Sequence, residues 1–172
     1  YIPGPPILVM VLSIILGMVA GGLYALIIAV LNQKLGVSIV IGTLMMNYVA
    51  SYITSYFVTF PLKDTSGDGL ALQTITIPEE MRIWNLVRGT TFNFSSILAL
   101  FLVVLFLFYT KKTVLGYESK ISGFNPDFAK YGGVNKNKVL LISMFLSGAI
   151  AALASSGEIF GIKYRFIDGM LS

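Results

Sequence analysis

The chain has 172 residues, 56% of them hydrophobic and only 12% charged, with a formal net charge of +4. A water-soluble domain of this size carries about 25% charged residues, so there is too little charge here to cover a surface facing water, and lipid must be the main solvent. With no cysteine and no histidine there is no disulfide, thiolate nucleophile, imidazole base or zinc site of the usual kind, which excludes most hydrolytic and metal chemistry.

Uncharged runs at 7–31, 37–60, 94–110 and 139–157 predict four transmembrane helices, because a hydrocarbon core roughly 30 Å thick takes about 20 residues at 1.5 Å each. The first two have room to tilt and the last two just fit. The expected fold is an all-α, polytopic membrane helical bundle. The opening Pro5-Pro6 suits a helix start, where a missing N–H costs nothing. The chain begins without methionine and already at a membrane boundary, so it reads as an excerpt, with further helices expected on both sides.

In the first span Gly17, Gly21 and Ala25 form a small-xxx-small series that lets a neighbouring helix approach closely. In the second, Thr43, Asn47, Ser51 and Thr54 share one face at helical spacing, and Tyr48, Tyr52 and Tyr56 run beside them. Polar side chains facing lipid are costly and normally point into a bundle or a wet cavity. Two readings stay open: hydrogen bonding between helices, at roughly 0.6 kcal/mol per contact, or a path for a neutral, hydroxyl-rich and planar solute with tyrosines as stacking surface.

The 61–93 segment is nearly neutral, with Lys63, Arg82 and Arg88 against Asp64, Asp68, Glu79 and Glu80. Leu72 to Ile77 is expected to be extended. Pro78 to Arg88 is expected to form a short interfacial helix carrying Met81, Trp84, Leu86 and Val87. Asn93-Phe94-Ser95 fits the glycosylation pattern but sits at the membrane edge, where the match carries no meaning. The third span, almost all bulky Leu, Phe, Val and Ile, is expected to face lipid.

The 111–138 segment holds Lys111, Lys112, Lys120, Lys130, Lys136 and Lys138 against only Glu118 and Asp127. The excess of lysine puts this loop on the cytoplasmic side and the 61–93 loop outside, and Lys34 agrees. Positive charge gathered in one membrane-flanking loop argues against nucleic acid as a partner. Within the loop, Asn125 can cap and Pro126 can open a short helix. Such a helix is either an anchor on lipid headgroups or a docking element for another subunit. The fourth span carries Ser143, Ser147, Ala151 and Ser155, with Gly148 and Ala152 alongside, and is expected to make close helix contact. Glu158 closes it; an ionisable group so placed is a functional candidate or a solvated carboxylate.

The wording of Thr113 to Val134 resembles the permease subunits of bacterial ABC importers in the ribose and nucleoside branch, which show a run close to T-x-x-G-x-x-x-R-A-x-G-x-N-P-x-A-A-x-Y-x-G-I. This chain matches at Thr113, Gly116, Gly123, Asn125, Pro126, Ala129, Tyr131 and Gly133, with Lys120 in the arginine place and Val134 in the isoleucine place. Leu146 to Ala154 is similar to the family's S-G-x-x-A-G-L-A segment, and Thr43 to Tyr48 to its T-x-M-x-N-Y stretch. There are departures: Ile39 stands where nucleoside-type members often carry Glu, and Ile121 and Phe128 replace alanines.

The resemblance implies one region, residues 1–172, of a larger permease, incomplete at both ends, with four transmembrane helices in the fragment, an external loop 61–93 and a cytoplasmic coupling loop 111–138. The implied assembly is an importer of nucleosides or simple sugars built from two permeases (the same or a related chain), cytoplasmic ABC ATPases and an external substrate-binding lipoprotein, all set in membrane lipid. ATP and Mg²⁺ would be held by the ATPase. This chain has no G-x-x-x-x-G-K-[ST] phosphate loop and is expected to hold no cofactor, metal or catalytic residue. The coupling element implied is the Ser122 to Val134 helix, with Lys120, Gly123, Asn125, Pro126, Ala129, Lys130, Tyr131, Gly132 and Gly133 against the ATPase. The substrate path would use Thr43, Asn47, Tyr48, Ser51, Tyr52, Thr54 and Glu158. A rival reading is a small membrane-embedded vitamin-binding component of an energy-coupled importer, which six complete spans would favour. An intramembrane enzyme would need convergent acids, histidines or a serine with a base, and none is found.

Overall fold

The computed structural model describes residues 5–63, 73–78, 83 and 93–167. Among them the helices follow in the order α1 (Pro6–Leu35), α2 (Ile39–Thr59), α3 (Phe94–Lys112), α4 (Val114–Phe124), α5 (Pro126–Tyr131) and α6 (Lys136–Glu158), the last running on into a π-helical turn at Ile159–Lys163. Three stretches are long and apolar enough to cross a membrane: Pro6–Leu35, Phe94–Lys112 and Lys136–Lys163. α2 is the fourth long helix, at 21 residues, but its Thr, Asn, Ser and Tyr side chains dilute its hydropathy, so composition alone does not mark it as a span.

Local chemistry sets the helix ends. Pro6 occupies the first helical position of α1, as its fixed φ favours. At the other end Gly36 adopts φ 67 and donates its N–H to the Asn32 carbonyl at 3.0 Å, the left-handed stop that glycine permits. The Asn32 amide then donates to the Val37 carbonyl at 2.8 Å. These bonds fold the chain back within three residues, so α2 returns antiparallel along α1. A Cβ on Gly42 would stand 3.2 Å from Ile28 Cγ2, and Tyr24 Oη donates to the Met46 carbonyl at 2.7 Å.

α1 lies between α2 and α6. Its half-buried and buried positions, among them Ile14, Met18, Gly22, Ala25 and Ala29, recur at three and four residues, the spacing of one helix face. That face meets α6 antiparallel. A Cβ on Gly21 would be 2.8 Å from Ala152 Cβ, one on Gly148 would fall against the Gly21 carbonyl oxygen and 2.7 Å from Ala25 Cβ, and one on Gly22 would strike the Phe145 ring. The two backbones therefore touch where both chains carry glycine, the close-approach mode of membrane helices. At the end of this contact Gln33 donates to the Asn137 carbonyl at 2.7 Å. Gly17, though in the same series, has open space around it. Most large apolar side chains point outward, Ile7 at 71% and Leu100 at 69% exposed, and α3 has no buried residue. With this apolar exterior and three helices long and apolar enough to span, the protein is a multi-pass membrane protein.

All the lysines of the 111–138 segment, with Lys34, gather at one end of the bundle, because α1 and α3 finish there and α6 begins there. At the opposite end isolated bridges join Lys63 to Thr74 and Gln73 to Ile167, and Arg165 donates to the Gln73 side chain at 2.9 Å. The expected extended run is represented there by Gln73 and Thr74. The interfacial helix expected over 78–88, with Met81, Trp84, Leu86 and Val87, lies outside the described residues except for Pro78 and Ile83.

One expectation needs correction. The coupling element is not a single helix from Ser122 to Val134. α4 ends at Phe124 and α5 begins at Pro126, with Asn125 extended between them (φ −149, ψ 97). Proline disfavours helical geometry in the residue before it, so the chain must break at Asn125.

Candidate functional site

Three surfaces have the chemistry to matter, and the helices place them apart. The first is the outer face of α2. Gly42 and Met46 face α1, so the opposite side of the helix is left open: Thr43, Asn47, Tyr48, Ser51 and Tyr52 are exposed, Tyr52 at 76%, and Thr54 is half-buried. Thr43 and Thr54 turn their hydroxyls back to the Val40 and Ala50 carbonyls, at 2.9 and 2.7 Å, the usual way a threonine satisfies itself in a helix. Their partners are thus backbone of the same helix rather than side chains of another. An interhelical hydrogen bond at α2 comes from Tyr24 of α1.

The second surface is the elbow formed by α4 and α5. Thr113 ties it to the end of α3: its hydroxyl donates to the Tyr109 carbonyl at 2.6 Å and accepts the Gly116 N–H at 3.1 Å. Gly116 is buried, and a Cβ there would fall against the Tyr109 carbonyl oxygen and 2.7 Å from Thr110 Cα. Only glycine lets α4 fold this tightly onto α3. Asn125 caps α5, accepting the N–H of Asp127 at 3.1 Å and of Phe128 at 3.0 Å, with Pro126 in the first turn.

α5 then ends in a Schellman arrangement. Gly133 sits at φ 78, its N–H bonds the Lys130 carbonyl at 3.1 Å and the Val134 N–H bonds the Ala129 carbonyl at 2.9 Å. Ala129 is buried at 2% exposure. Lys120, Gly123, Asn125, Pro126, Lys130, Gly132 and Gly133 are exposed, and so are four aromatic rings: Tyr117 at 62%, Phe124 at 82%, Phe128 at 63% and Tyr131 at 92%. A short elbow stiffened by two caps and presenting bare rings between lysines has the form of a docking knob.

The third surface was not legible in the sequence. α3 and α6 meet at the end away from the lysines, where Ser95 Oγ donates to the Gly157 carbonyl at 3.4 Å and Gly161 abuts the Asn93 amide. At the other end α4 bridges them. Between these points they stand apart, leaving a slot of about 820 Å³. Leu102 and Phe106 from α3 and Ile150 from α6 give it apolar walls, while Ser143 and Ser147 add hydroxyls from the side of α6 turned away from α1. The small residues of α6 are thereby sorted: Gly148 and Ala152 pack on α1, and Ser143 and Ser147 border the slot.

Glu158 lies at the end of this slot with Asn93, Ser95 and Ser156. No α2 residue is among those lining it, so the structure does not bring Glu158 onto the α2 stripe. Asn93, a glycosylation match on paper, is 2% exposed. It caps α3 by accepting the Ser95 N–H at 3.1 Å, and its amide nitrogen is buried without a partner among the described residues. Glu158 directly precedes the π-helical turn, a departure from α geometry that often marks function. Among the described residues no cluster of acids could hold a metal ion.

The family model described as branched-chain amino acid transport system / permease component matches residues 4–170. The nucleoside ABC transporter permease protein NupB of Lactococcus lactis subsp. cremoris is 32% identical over 174 residues, which cover 95% of this chain and 47% of NupB. The guanosine ABC transporter permease protein NupP of Bacillus subtilis is 29% identical over 167 residues, covering 96% of this chain and 48% of NupP. An uncharacterized protein, MG120 of Mycoplasma genitalium, is 26% identical over 149 residues, 85% of this chain and 29% of that protein. The chain spans about half the length of the first two relatives. No solved structure matches it.

Proposed function

Because this chain belongs to the family of branched-chain amino acid transport system permease components, we propose that it is part of the membrane path of an ATP-driven importer and that the solute is a nucleoside, with simple sugars the second choice. The observation that carries the reading is the open face of α2. A nucleoside joins a flat base to a hydroxylated ring, and Tyr48 and Tyr52 offer stacking faces one turn apart beside Thr43, Asn47 and Ser51, which can hydrogen-bond hydroxyls. Relatives named as nucleoside and guanosine permeases, each aligned over at least 95% of this chain, support the same solute class. Glu158, at the end of the bundle opposite the lysines, is the candidate acceptor for an entering solute.

The α4–α5 elbow is the element we assign to docking on a cytoplasmic ATPase. Its lysines favour the cytoplasmic side, and its caps make it stiff enough to pass a push from the ATPase into α3 and α6. ATP and Mg²⁺ would be bound by that partner chain, a second permease would complete the membrane half, and an external lipoprotein would deliver the solute. Rocking of the helix bundles driven from the elbow would then alternate access to the α2 face.

The test is an uptake panel in cells expressing the full-length importer with its partners. Radiolabelled nucleosides should accumulate, and unlabelled nucleosides, not pentoses, should compete. Accumulation of pentoses alone would overturn the solute assignment. Uptake that persists when ATP is depleted would overturn the ATP-driven mechanism.

A further inference from the structure

We propose that the slot between α3 and α6 is a binding site for an anionic phospholipid, with an acyl chain between the helices and the phosphate at the lysine end on Lys111, Lys112 and Lys120. Three observations converge on it.

The slot is partly open to the outside and mainly apolar in its middle, which Leu102, Val103 and Phe106 line from α3 and Leu146 and Ile150 from α6. From Ser95 to Thr110 along α3 it runs about 22 Å at 1.5 Å per residue, longer than the ~15 Å depth of one leaflet of a hydrocarbon core. An extended chain therefore fits, and along the middle the hydroxyls of Ser143 and Ser147 are the main polar groups in otherwise apolar walls.

At the lysine end the lining turns polar, through Tyr109, Thr110 and Ser119. The Tyr109 hydroxyl is buried and has no hydrogen-bond partner among the described residues, which is costly unless a ligand acceptor meets it. A glycerol ester or phosphate oxygen is such an acceptor.

Charge completes the match. Lys111 and Lys112 continue α3 directly after Thr110, Lys120 follows Ser119, and all three are exposed. Six lysines against two carboxylates in the 111–138 segment make this end attractive to an anionic headgroup and indifferent to a zwitterionic one. Because α4 is wedged between α3 and α6 at this end, a lipid bound here would also brace the elbow.

The experiment uses the full-length protein in bilayers of phosphatidylcholine doped with phosphatidylglycerol, extracted gently and read by native mass spectrometry for retained lipid. Each lysine close to an anionic headgroup contributes about fivefold, so the wild type should retain phosphatidylglycerol at least about fivefold over phosphatidylcholine. That preference should fall to near unity in the Lys111→Gln/Lys112→Gln/Lys120→Gln triple variant and in Ser147→Phe, which fills the slot from α6. It should persist in Lys111→Arg/Lys112→Arg, which keeps the charge, and in Lys136→Gln/Lys138→Gln, whose lysines stand at the same end but off the slot. Equal retention of the two lipids by the wild type would overturn the proposal. So would an equal loss in the Lys136→Gln/Lys138→Gln pair, which would mean diffuse attraction, or no effect of Ser147→Phe, which would place the lipid elsewhere.

Discussion

Replacing Gly148 by alanine adds one methyl group where α1 and α6 touch. That Cβ would fall against the Gly21 carbonyl oxygen and 2.7 Å from Ala25 Cβ, where ordinary contact begins at 3.4 Å. Neither neighbour is the end of a flexible side chain, so the helices themselves must separate, by roughly 1 Å. A gap of 0.5–1 Å forfeits about a quarter to a half of the dispersion attraction across a contact. There is little hydrophobic drive to offset this loss, because lipid tails are as apolar as the helices. Overpacking of this kind costs about 1–3 kcal/mol. Gly17→Ala is the internal control: it belongs to the same small-residue series but has open space around it, and alanine is the better helix former by about 1 kcal/mol. Thermal unfolding of the full-length protein in detergent should show a lower midpoint for Gly148→Ala and an unchanged or higher one for Gly17→Ala. Equal midpoints would refute the claim that α1 and α6 meet backbone to backbone at Gly21 and Gly148.

Two further outcomes concern function. Gly133 sits at φ 78, where a residue with a Cβ costs about 1–2 kcal/mol and asparagine is the best-tolerated substitute. Gly133→Val should therefore let ATP hydrolysis run without uptake while Gly133→Asn keeps much of the coupling, measured as solute moved per ATP in proteoliposomes; identical ratios would separate the turn from coupling. Asn47→Leu removes the one amide from the open α2 face and should lower uptake at least about tenfold, the factor corresponding to ~1.4 kcal/mol, with the amount of assembled complex unchanged. Normal uptake kinetics would return Asn47 to packing.

The long helices were legible because apolar runs and their ends are local signals: the 7–31 run became Pro6–Leu35, and the 139–157 run became Lys136–Glu158. So was α5, whose cap and first turn are spelled out by Asn125-Pro126. α4 was not, because Gly116 and Gly123 look like loop punctuation. Gly116 is in fact the contact that lets a helix fold against α3, and only the neighbour it touches reveals that. The same holds for α6, where the serines and the glycine-alanine pair have one composition but opposite faces. Setting aside the glycosylation match at Asn93 was right, but the burial of that side chain was not legible, because it rests on Gly161, which is distant in sequence. The slot between α3 and α6 exists only through tertiary geometry and leaves no periodic trace.

Orientation and docking can be tested together. This chain has no cysteine, so in a full-length protein freed of any others a single Tyr131→Cys, 92% exposed on α5, reports on one place. A membrane-impermeant maleimide should fail to label it in intact cells and succeed after lysis, and a short bifunctional thiol reagent should join it to a cysteine placed in the ATPase cleft. Labelling from outside the intact cell, or no cross-link to the ATPase in an assembly that hydrolyses ATP, would contradict the account.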